Sequence, residues 1–291
     1  MRRRKLRTRA VKSSPVKRGR PSKSDIEAKR LALIKTNESP AERLARIAER
    51  FTVMYRLTQG AIHGAPRAMI VSGAPGVGKS FTITHLLETA TDQNMIRHVQ
   101  VHGTITGINL YKVMWNYQQP NDIILLDDAD SIYEDEDSMN LLKAGLDTTT
   151  VRKISWLSEA ASLKAEGIPT TFEYKGAIIF ITNKDMQGIV DVGKSKMVPH
   201  FQALMSRSIY LDLKLHSPDD LVVWIGHMVR KQHILIQRGL TDAQEVMCVD
   251  WIQKNYENCR DLSIRTALKL ADFMLADESS WQTFAKVTLL R

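Results

Sequence analysis

Cysteine is scarce in this chain, and long apolar runs are missing from it. The 291 residues include two cysteines, Cys248 and Cys259, which are too few for a disulfide framework and match no zinc-binding spacing. No apolar run approaches the roughly 20 residues that span a bilayer, and the first residues lack the apolar core of a signal peptide. We therefore expect a cytoplasmic protein with no structural metal and no membrane partner.

Acidic residues are absent from the first 24 positions, although those positions hold 11 of the 41 lysines and arginines. The other 267 residues contain 30 basic and 32 acidic residues, so the net charge of +9 belongs to the N-terminal segment. A segment so poor in large apolar residues cannot offset its ordering entropy by burial. We predict that residues 1–38 form a disordered basic tail that binds a polyanion.

The pattern of the rest of the chain predicts two further domains. Ser39 and Pro40 are typical of a helix start, and short apolar runs then alternate with helical patterns, which favours a parallel sheet covered by helices on both faces. Beyond Leu215 the patterns are helical only. The expected fold is therefore a three-layer α/β domain over residues 39–215, followed by a small helical domain over residues 216–291.

The strongest motif fits G-x-x-x-x-G-K-[ST] in full and lies between a predicted strand and a predicted helix. In such a loop, glycines allow backbone N–H groups to surround phosphates, and the helix N-terminus adds positive potential. Lys79 is expected to reach the β- and γ-phosphates, and Ser80 to ligate Mg²⁺. The predicted nucleotide-binding residues are Gly73, Ala74, Pro75, Gly76, Val77, Gly78, Lys79 and Ser80.

A second motif is the apolar run of residues 123–126, which ends in Asp127 and Asp128. Paired carboxylates at the end of a buried strand indicate a cation or a reaction that needs them. We assign Asp127 to the Mg²⁺ shell and Asp128 to orienting and deprotonating the attacking water.

With these two motifs, the chain resembles the AAA+ ATPases over about residues 41–275, the loop corresponding to Walker A and the two acids to Walker B. The resemblance implies a P-loop sheet domain with a helical lid, ATP and Mg²⁺ as cofactors, and a homo-oligomer, such as a hexameric ring or spiral. It also implies roles for three residues: Asn183 as the sensor 1 residue, Arg207 as an arginine finger and Arg265 as the sensor 2 residue.

Two features depart from the family pattern. Asp128 stands where the family usually has Glu, one methylene longer, so we expect either slow hydrolysis or a differently placed water. A long insert, residues 148–175, precedes the predicted sensor strand and contains two possible short strands. It is interpreted either as a hairpin that touches DNA or a partner, or as an edge extension of the sheet.

Within the basic tail, residues 17–23 resemble an AT-hook, a motif built around Arg-Gly-Arg-Pro. Gly and Pro keep such a segment narrow, so its arginines can enter the minor groove of A·T-rich DNA while lysines contact phosphates. The alternative is a polybasic arm without sequence preference. The DNA-binding residues predicted here are Lys17, Arg18, Gly19, Arg20, Pro21 and Lys23.

Three functional hypotheses remain open. The first is an AAA+ ATPase that acts at DNA as a loader, initiator or transposition-type ATPase in a bacterial or phage-infected cell, where it associates with the nucleoid. The second is a protein-remodelling ATPase with a polypeptide client. The third is a nucleotide-gated DNA-binding scaffold with little turnover.

Overall fold

A computed structural model of the protein describes residues 38–215 and 217–291. Residues 1–37 lie outside the described residues; they hold the AT-hook-like residues of the predicted basic tail and a short helical sequence pattern over residues 25–35. Residues Ser39–Arg291 form one compact unit. Among the described helices, none is both long enough and apolar enough to cross a membrane.

The strands, in chain order, are β1 (Ala68–Ser72), β2 (Arg97–His102), β3 (Asp122–Asp127), β4 (Arg152–Ser155), β5 (Thr171–Tyr174), β6 (Ala177–Thr182) and β7 (Ile209–Asp212). The helices are α1 (Pro40–Ile62), α2 (Lys79–Asp92), α3 (Gly107–Asn116), α4 (Glu136–Gly145), α5 (Ala161–Ala165), α6 (Met186–Val192), α7 (Val198–Arg207), α8 (Pro218–Gln232), α9 (Asp242–Asn255), α10 (Ile264–Ala276) and α11 (Trp281–Leu289).

Five parallel strands form the main sheet, in the order β2-β3-β6-β1-β7. Side chains alternate between the two faces of each strand, so both faces need cover. On one face Ile124, Leu126 and Phe180 pack in a cluster with residues of α3, α4 and α7. On the other face Ile123 and Leu125 pack with residues of α1 and α2. The predicted three-layer α/β fold with a parallel sheet is confirmed.

Helix α1 begins where the sequence predicts a helix start. Ser39 and Glu42 form a reciprocal capping box with Pro40 in the first turn. The helix runs through Gly60 and ends at Ile62, just before Gly64, Ala65 and Pro66. The backbone turns back so closely that a Cβ at Gly60 would lie 2.4 Å from the carbonyl oxygen of Ala65. Gly60 therefore serves a close backbone approach and does not stop the helix.

The insert forms a hairpin of its own. Strands β4 and β5 pair antiparallel as a separate two-stranded sheet, so the interpretation as an edge extension of the main sheet is wrong. Phe172 of β5 packs against Tyr111 and Trp115 of α3. Arg152 is buried and donates to the carbonyl oxygens of Gly145 and Gly176, each at 2.6 Å. These contacts fasten the base of the hairpin to the sheet domain.

The chain after β7 is helical, as the sequence pattern predicts. Apolar residues of α8, α9, α10 and α11 share a third buried cluster, which includes Ile225, Ile252, Leu270 and Trp281. Helix α8 also packs on α1, where Trp224 stacks on Phe51 with ring centroids 4.1 Å apart. Ser217 and Thr241 cap α8 and α9 through their side chains. The C-terminal helices thus have their own core and a firm contact with α1.

Candidate nucleotide-binding site

The G-x-x-x-x-G-K-S loop connects β1 to α2, with Lys79 as the first helical residue. Two loop glycines have positive φ, Gly76 at 65° and Gly78 at 101°. A residue with a side chain is strained in this left-handed region, whereas glycine, which has no Cβ, adopts it readily and lets the backbone curl tightly. The sequence forms the concave loop because glycine stands at both of these positions.

The ammonium of Lys79 lies inside this loop. Its Nζ donates to the carbonyl oxygens of Gly73 and Ala74, at 2.7 and 2.8 Å, and to Oδ1 of Asn183 at 2.8 Å. The residue is only 4% exposed. Burial lowers the pKa of Lys79 to about 8, against the opposing effects of Asp128 and Asp127, whereas Arg265 adds a smaller lowering. The loop therefore holds a positive charge that a nearby anion would stabilise.

The order of the strands explains how Asn183 reaches both the loop and the acidic pair. Strand β6 lies between β1 and β3, so the residue after β6 falls between Lys79 and Asp128. Asn183 accepts from Lys79 and donates through Nδ2 to Oδ1 of Asp128 at 2.7 Å. Asp128 itself adopts φ 52°, a left-handed conformation that Asp tolerates better than most residues. Three predicted site residues form one hydrogen-bonded chain.

Asp127 and Ser80 meet at the same edge of the sheet. The Ser80 hydroxyl donates to Oδ1 of Asp127 at 2.8 Å. The Asp127 side chain is almost fully buried, and its other oxygen, Oδ2, lies 3.2 Å from Nε2 of Gln100 and 3.5 Å from Nδ1 of His102. A hydroxyl and a carboxylate side by side are oxygen ligands of the kind that Mg²⁺ binds.

The C-terminal helices contact the G-x-x-x-x-G-K-S loop directly. The indole N–H of Trp224, on α8, donates to the carbonyl oxygen of Val77 at 2.9 Å. The backbone N–H of Ile264, the first residue of α10, donates to the carbonyl oxygen of Gly76 at 2.9 Å. A Cβ at Gly76 would lie 2.7 Å from Cβ of Ser263. The loop is thus held between the sheet and two C-terminal helices.

A cavity of about 430 Å³ opens between the loop and these helices. Lys79, Ser80, Asp128 and Asn183 line one part of it, together with Arg265. The rest of the wall comes mainly from apolar and amide side chains: Met228, Gln232, Ile234, Gln237, Ile264 and Leu268. The cavity therefore has a polar region beside the loop and a less polar region under the helices.

Arg207 is the one predicted catalytic residue that does not line this cavity. It is the last residue of α7, and its guanidinium donates to the carbonyl oxygen of Ala203 at 3.0 Å. Its Nε lies 3.9 Å from Oδ2 of Asp147. The structure thus brings together Lys79, Ser80, Asp127, Asp128, Asn183 and Arg265, and leaves Arg207 half-exposed elsewhere.

Three residues at the site were not anticipated from the sequence. Gln100 reaches Asp127 from the neighbouring strand, and Trp224 and Ser263 contact the loop from the C-terminal helices. The only local signal was the polar alternation of His98, Gln100 and His102 along β2, which marks one strand face but not its neighbour. Trp224 fits an apolar helix stripe, which conceals its polar N–H.

A parallel α/β sheet with this loop, a lysine inside it and polar groups at the adjoining strand ends defines a P-loop type of protein. The chain belongs to the same family as an uncharacterized 36.7 kDa protein in the nrdC-mobD intergenic region of Enterobacteria phage T4. The two are 39% identical over 263 residues, which are 90% of this chain and 80% of the phage protein. No protein-family model matches the chain.

Solved structures give looser similarities. The RuvB Holliday junction branch migration motor of Thermotoga maritima superposes with a TM-score of 0.45 at 12% identity, covering 82% of this chain and 68% of that one. NtrX from Brucella abortus in complex with ADP gives a TM-score of 0.44 at 10% identity, covering 87% of this chain and 57% of that one.

Proposed function

We propose that this protein binds and hydrolyses ATP as an AAA+ ATPase, and that it acts at DNA through its basic N-terminal tail. The observation that supports it most strongly is the hydrogen-bonded chain of Lys79, Asn183 and Asp128 at the wall of the 430 Å³ cavity. The lysine in the loop is suited to binding a phosphate, and the two polar side chains that follow the neighbouring strands β6 and β3 are suited to act as a sensor and as a water-activating carboxylate.

The nucleotide's phosphates would lie in the loop of residues 73–80. There Lys79 supplies a buried positive charge, and the N-terminus of α2 adds a partial one. Arg265 adds a second positive charge, that of its guanidinium, to the cavity wall, which fits the sensor 2 role. The less polar region under the C-terminal helices has the character of a site for a flat organic ring.

A magnesium ion fits the oxygen ligands that the loop and β3 present together. Ser80 and Asp127 would hold the ion, because their oxygens already lie 2.8 Å apart and the carboxylate is buried. When bound, Mg²⁺ neutralises charge on the β- and γ-phosphates. Asp128 would orient the attacking water and accept its proton, and Asn183 holds Asp128 in place through its amide.

Assembly is the part of the proposal that Arg207 supports. A half-exposed arginine that does not line the cavity of its own chain is available to reach the nucleotide of a neighbouring subunit, as an arginine finger does. We propose a homo-oligomeric ring or spiral, with residues 39–215 as the ATPase domain and residues 216–291 as its lid. A polypeptide client is the corresponding alternative to DNA.

The tail would tether this assembly to DNA. Its first 24 residues hold 11 basic residues and no acid, which favours phosphate contacts, and Arg18, Gly19, Arg20 and Pro21 favour the minor groove of A·T-rich duplex. We place the protein in the cytoplasm of a bacterial or phage-infected cell, in association with the nucleoid.

A scaffold with little turnover is a second candidate, and Asp128 favours it. Its carboxylate is one methylene shorter than the usual glutamate, and Oδ1 is already bound by Asn183. Slow hydrolysis with tight ATP binding would support this candidate.

The test compares the full chain with a chain that begins at Ser39, where α1 is capped. ATPase rates and DNA binding are measured for both, without DNA and with A·T-rich duplex, G·C-rich duplex and single-stranded DNA. We expect DNA to stimulate the ATPase rate of the full chain only. The DNA affinity of the full chain should fall with log[salt] by a slope of about 0.9 per phosphate neutralised. A full chain whose ATPase and DNA binding match those of the shorter chain would refute the DNA-acting proposal.

A further inference from the structure

The carboxylate of Asp127 is held at both oxygens. Oδ1 accepts from the Ser80 hydroxyl at 2.8 Å, and Oδ2 accepts from Nε2 of Gln100 at 3.2 Å. Asp127 is 4% exposed, so water cannot substitute for these partners as it would at the surface. The second partner, Gln100, belongs neither to the loop nor to the acidic motif.

Strand pairing puts Gln100 in this position. Strand β2 runs parallel to β3, with Gln100 opposite Leu125 and His102 opposite Asp127. Gln100 shares a face with Leu125, which lies opposite it, and Leu125 shares that face with Asp127, two residues further along β3. Helix α2 covers this face. Thr84 of α2 confirms this, since its hydroxyl accepts from the same Nε2 of Gln100 at 3.0 Å.

The two acceptors fix the orientation of the Gln100 amide. An amide nitrogen has two hydrogens, and here one points to Thr84 and the other to Asp127. The donor is also neutral. A lysine or arginine in this place would bring a positive charge that competes with a metal ion, whereas an amide holds the carboxylate without reducing its charge.

We propose that Gln100 is a positioning residue for the metal-binding carboxylate of the proposed ATP site. It anchors Oδ2 of Asp127 so that Oδ1 and the Ser80 hydroxyl are presented together to a divalent cation. This inference rests on the proposed function, because it assumes that Ser80 and Asp127 hold Mg²⁺. Partners of this kind, which orient a ligand without touching the metal, typically change metal affinity 10- to 100-fold when they are removed.

The experiment measures Mg²⁺ binding in place of turnover. The full chain is titrated by calorimetry with adenosine 5′-(β,γ-imido)triphosphate, in EDTA and at a series of Mg²⁺ concentrations. Gln100→Met keeps the length of the side chain and removes the donor. We expect it to raise the Mg²⁺ concentration for half-maximal enhancement about tenfold, and to leave the affinity in EDTA unchanged.

Two controls separate positioning from packing. Gln187→Met removes an exposed amide on α6 that donates to the carboxylate of Asp191, and it should leave the Mg²⁺ midpoint unchanged. Thr84→Val removes the other acceptor of Gln100 and should shift the midpoint less than Gln100→Met does. If Gln100→Met lowers the melting temperature without nucleotide, Gln100→Ala is measured in its place.

A parent that binds the nucleotide with Mg²⁺ enhancement, together with a Gln100 variant whose midpoint stays within about twofold, would overturn the inference alone. An equal shift in Thr84→Val would also overturn it, because Gln100 would then act through α2. A parent whose nucleotide binding does not respond to Mg²⁺ would overturn the Mg²⁺ part of the proposed function, and this inference with it.

Discussion

At the scale of single residues, Asn183 joins the two halves of the site. It accepts from the buried ammonium of Lys79 and donates to Asp128, so a change at either group is felt by the other. A phosphate entering the loop would compete with Asn183 and the loop carbonyls for Lys79. The side chains are therefore arranged so that nucleotide binding can alter the hydrogen bonding of Asp128, which we propose as the water-activating carboxylate.

The lowered pKa of Lys79 predicts that nucleotide binding depends on pH. Its pKa of about 8 lies below the ordinary lysine value, so the ammonium loses its proton as the pH rises above about 8. Phosphates favour the charged form, so binding should raise this pKa and take up a proton. We expect ATP affinity to fall as the pH rises from 8 to 10, and calorimetry in buffers of different ionisation enthalpy to show proton uptake.

The matched variants for this prediction are Lys79→Ala, which should abolish nucleotide binding, and Lys164→Ala, which removes an exposed lysine from α5 and should not affect it. Affinity that is constant from pH 7 to 10 in the parent would show that the Lys79 charge does not contribute to binding.

Asp128→Asn should separate binding from turnover. An amide cannot accept the proton of the attacking water, so hydrolysis should fall by at least about 100-fold, within the usual range for a general base. Asn tolerates the left-handed φ of 52° as well as Asp does, and its Oδ1 can still accept from Asn183. ATP affinity and melting temperature should therefore stay at parent values. Hydrolysis at the parent rate would contradict the assignment of Asp128.

At the scale of elements, the P-loop is a junction between the sheet and the C-terminal helices. Helix α8 reaches it through Trp224, and the start of α10 reaches it through Ile264. Any rearrangement of the loop around phosphates therefore acts on two helices at once. We therefore expect nucleotide binding to shift the cavity wall formed by these helices through their direct contacts with the loop.

Trp224→Phe tests this junction. Phenylalanine retains an aromatic ring for stacking on Phe51 but loses the N–H that bonds the carbonyl oxygen of Val77. Leaving that buried acceptor without its donor should lower the free energy of unfolding by about 1–3 kcal/mol, measured by urea denaturation. Trp251→Phe is the matched control, since the Trp251 indole N–H has no acceptor among the described residues. Equal losses in both variants would mean that only ring volume matters.

The same elements show what a sequence can and cannot predict. The loop of residues 73–80 was predictable because its glycines, lysine and serine are contiguous and their chemistry is local. Gln100 was not, because its role depends on β2 pairing with β3, and strand order arises from contacts that are distant along the chain. The reason for a glycine at position 60 was not predictable either, because it depends on the close approach of the Ala65 backbone, which no helix pattern reveals.

At the scale of the whole molecule, the position of Arg207 makes assembly the central question. Within one chain, Asp147 and the carbonyl oxygen of Ala203 hold its guanidinium away from the cavity. If it serves a neighbour's γ-phosphate, catalysis belongs to an interface, and a monomer has only half of each site. ATPase activity per subunit should then rise with protein concentration.

Arg207→Ala should bind ATP nearly as the parent does but hydrolyse it about 1,000-fold more slowly, the lower end of the range for arginine fingers. Arg238→Ala is a suitable control, because Arg238 pairs with Asp272 on the surface of the C-terminal helices.

Mixing two variants separates a role of Arg207 between subunits from a local one. Arg207→Ala subunits keep the loop and Lys79→Ala subunits keep the arginine, so mixed assemblies should regain activity wherever an intact loop faces an intact arginine. Confirmed co-assembly without any recovery would show that Arg207 does not act across an interface.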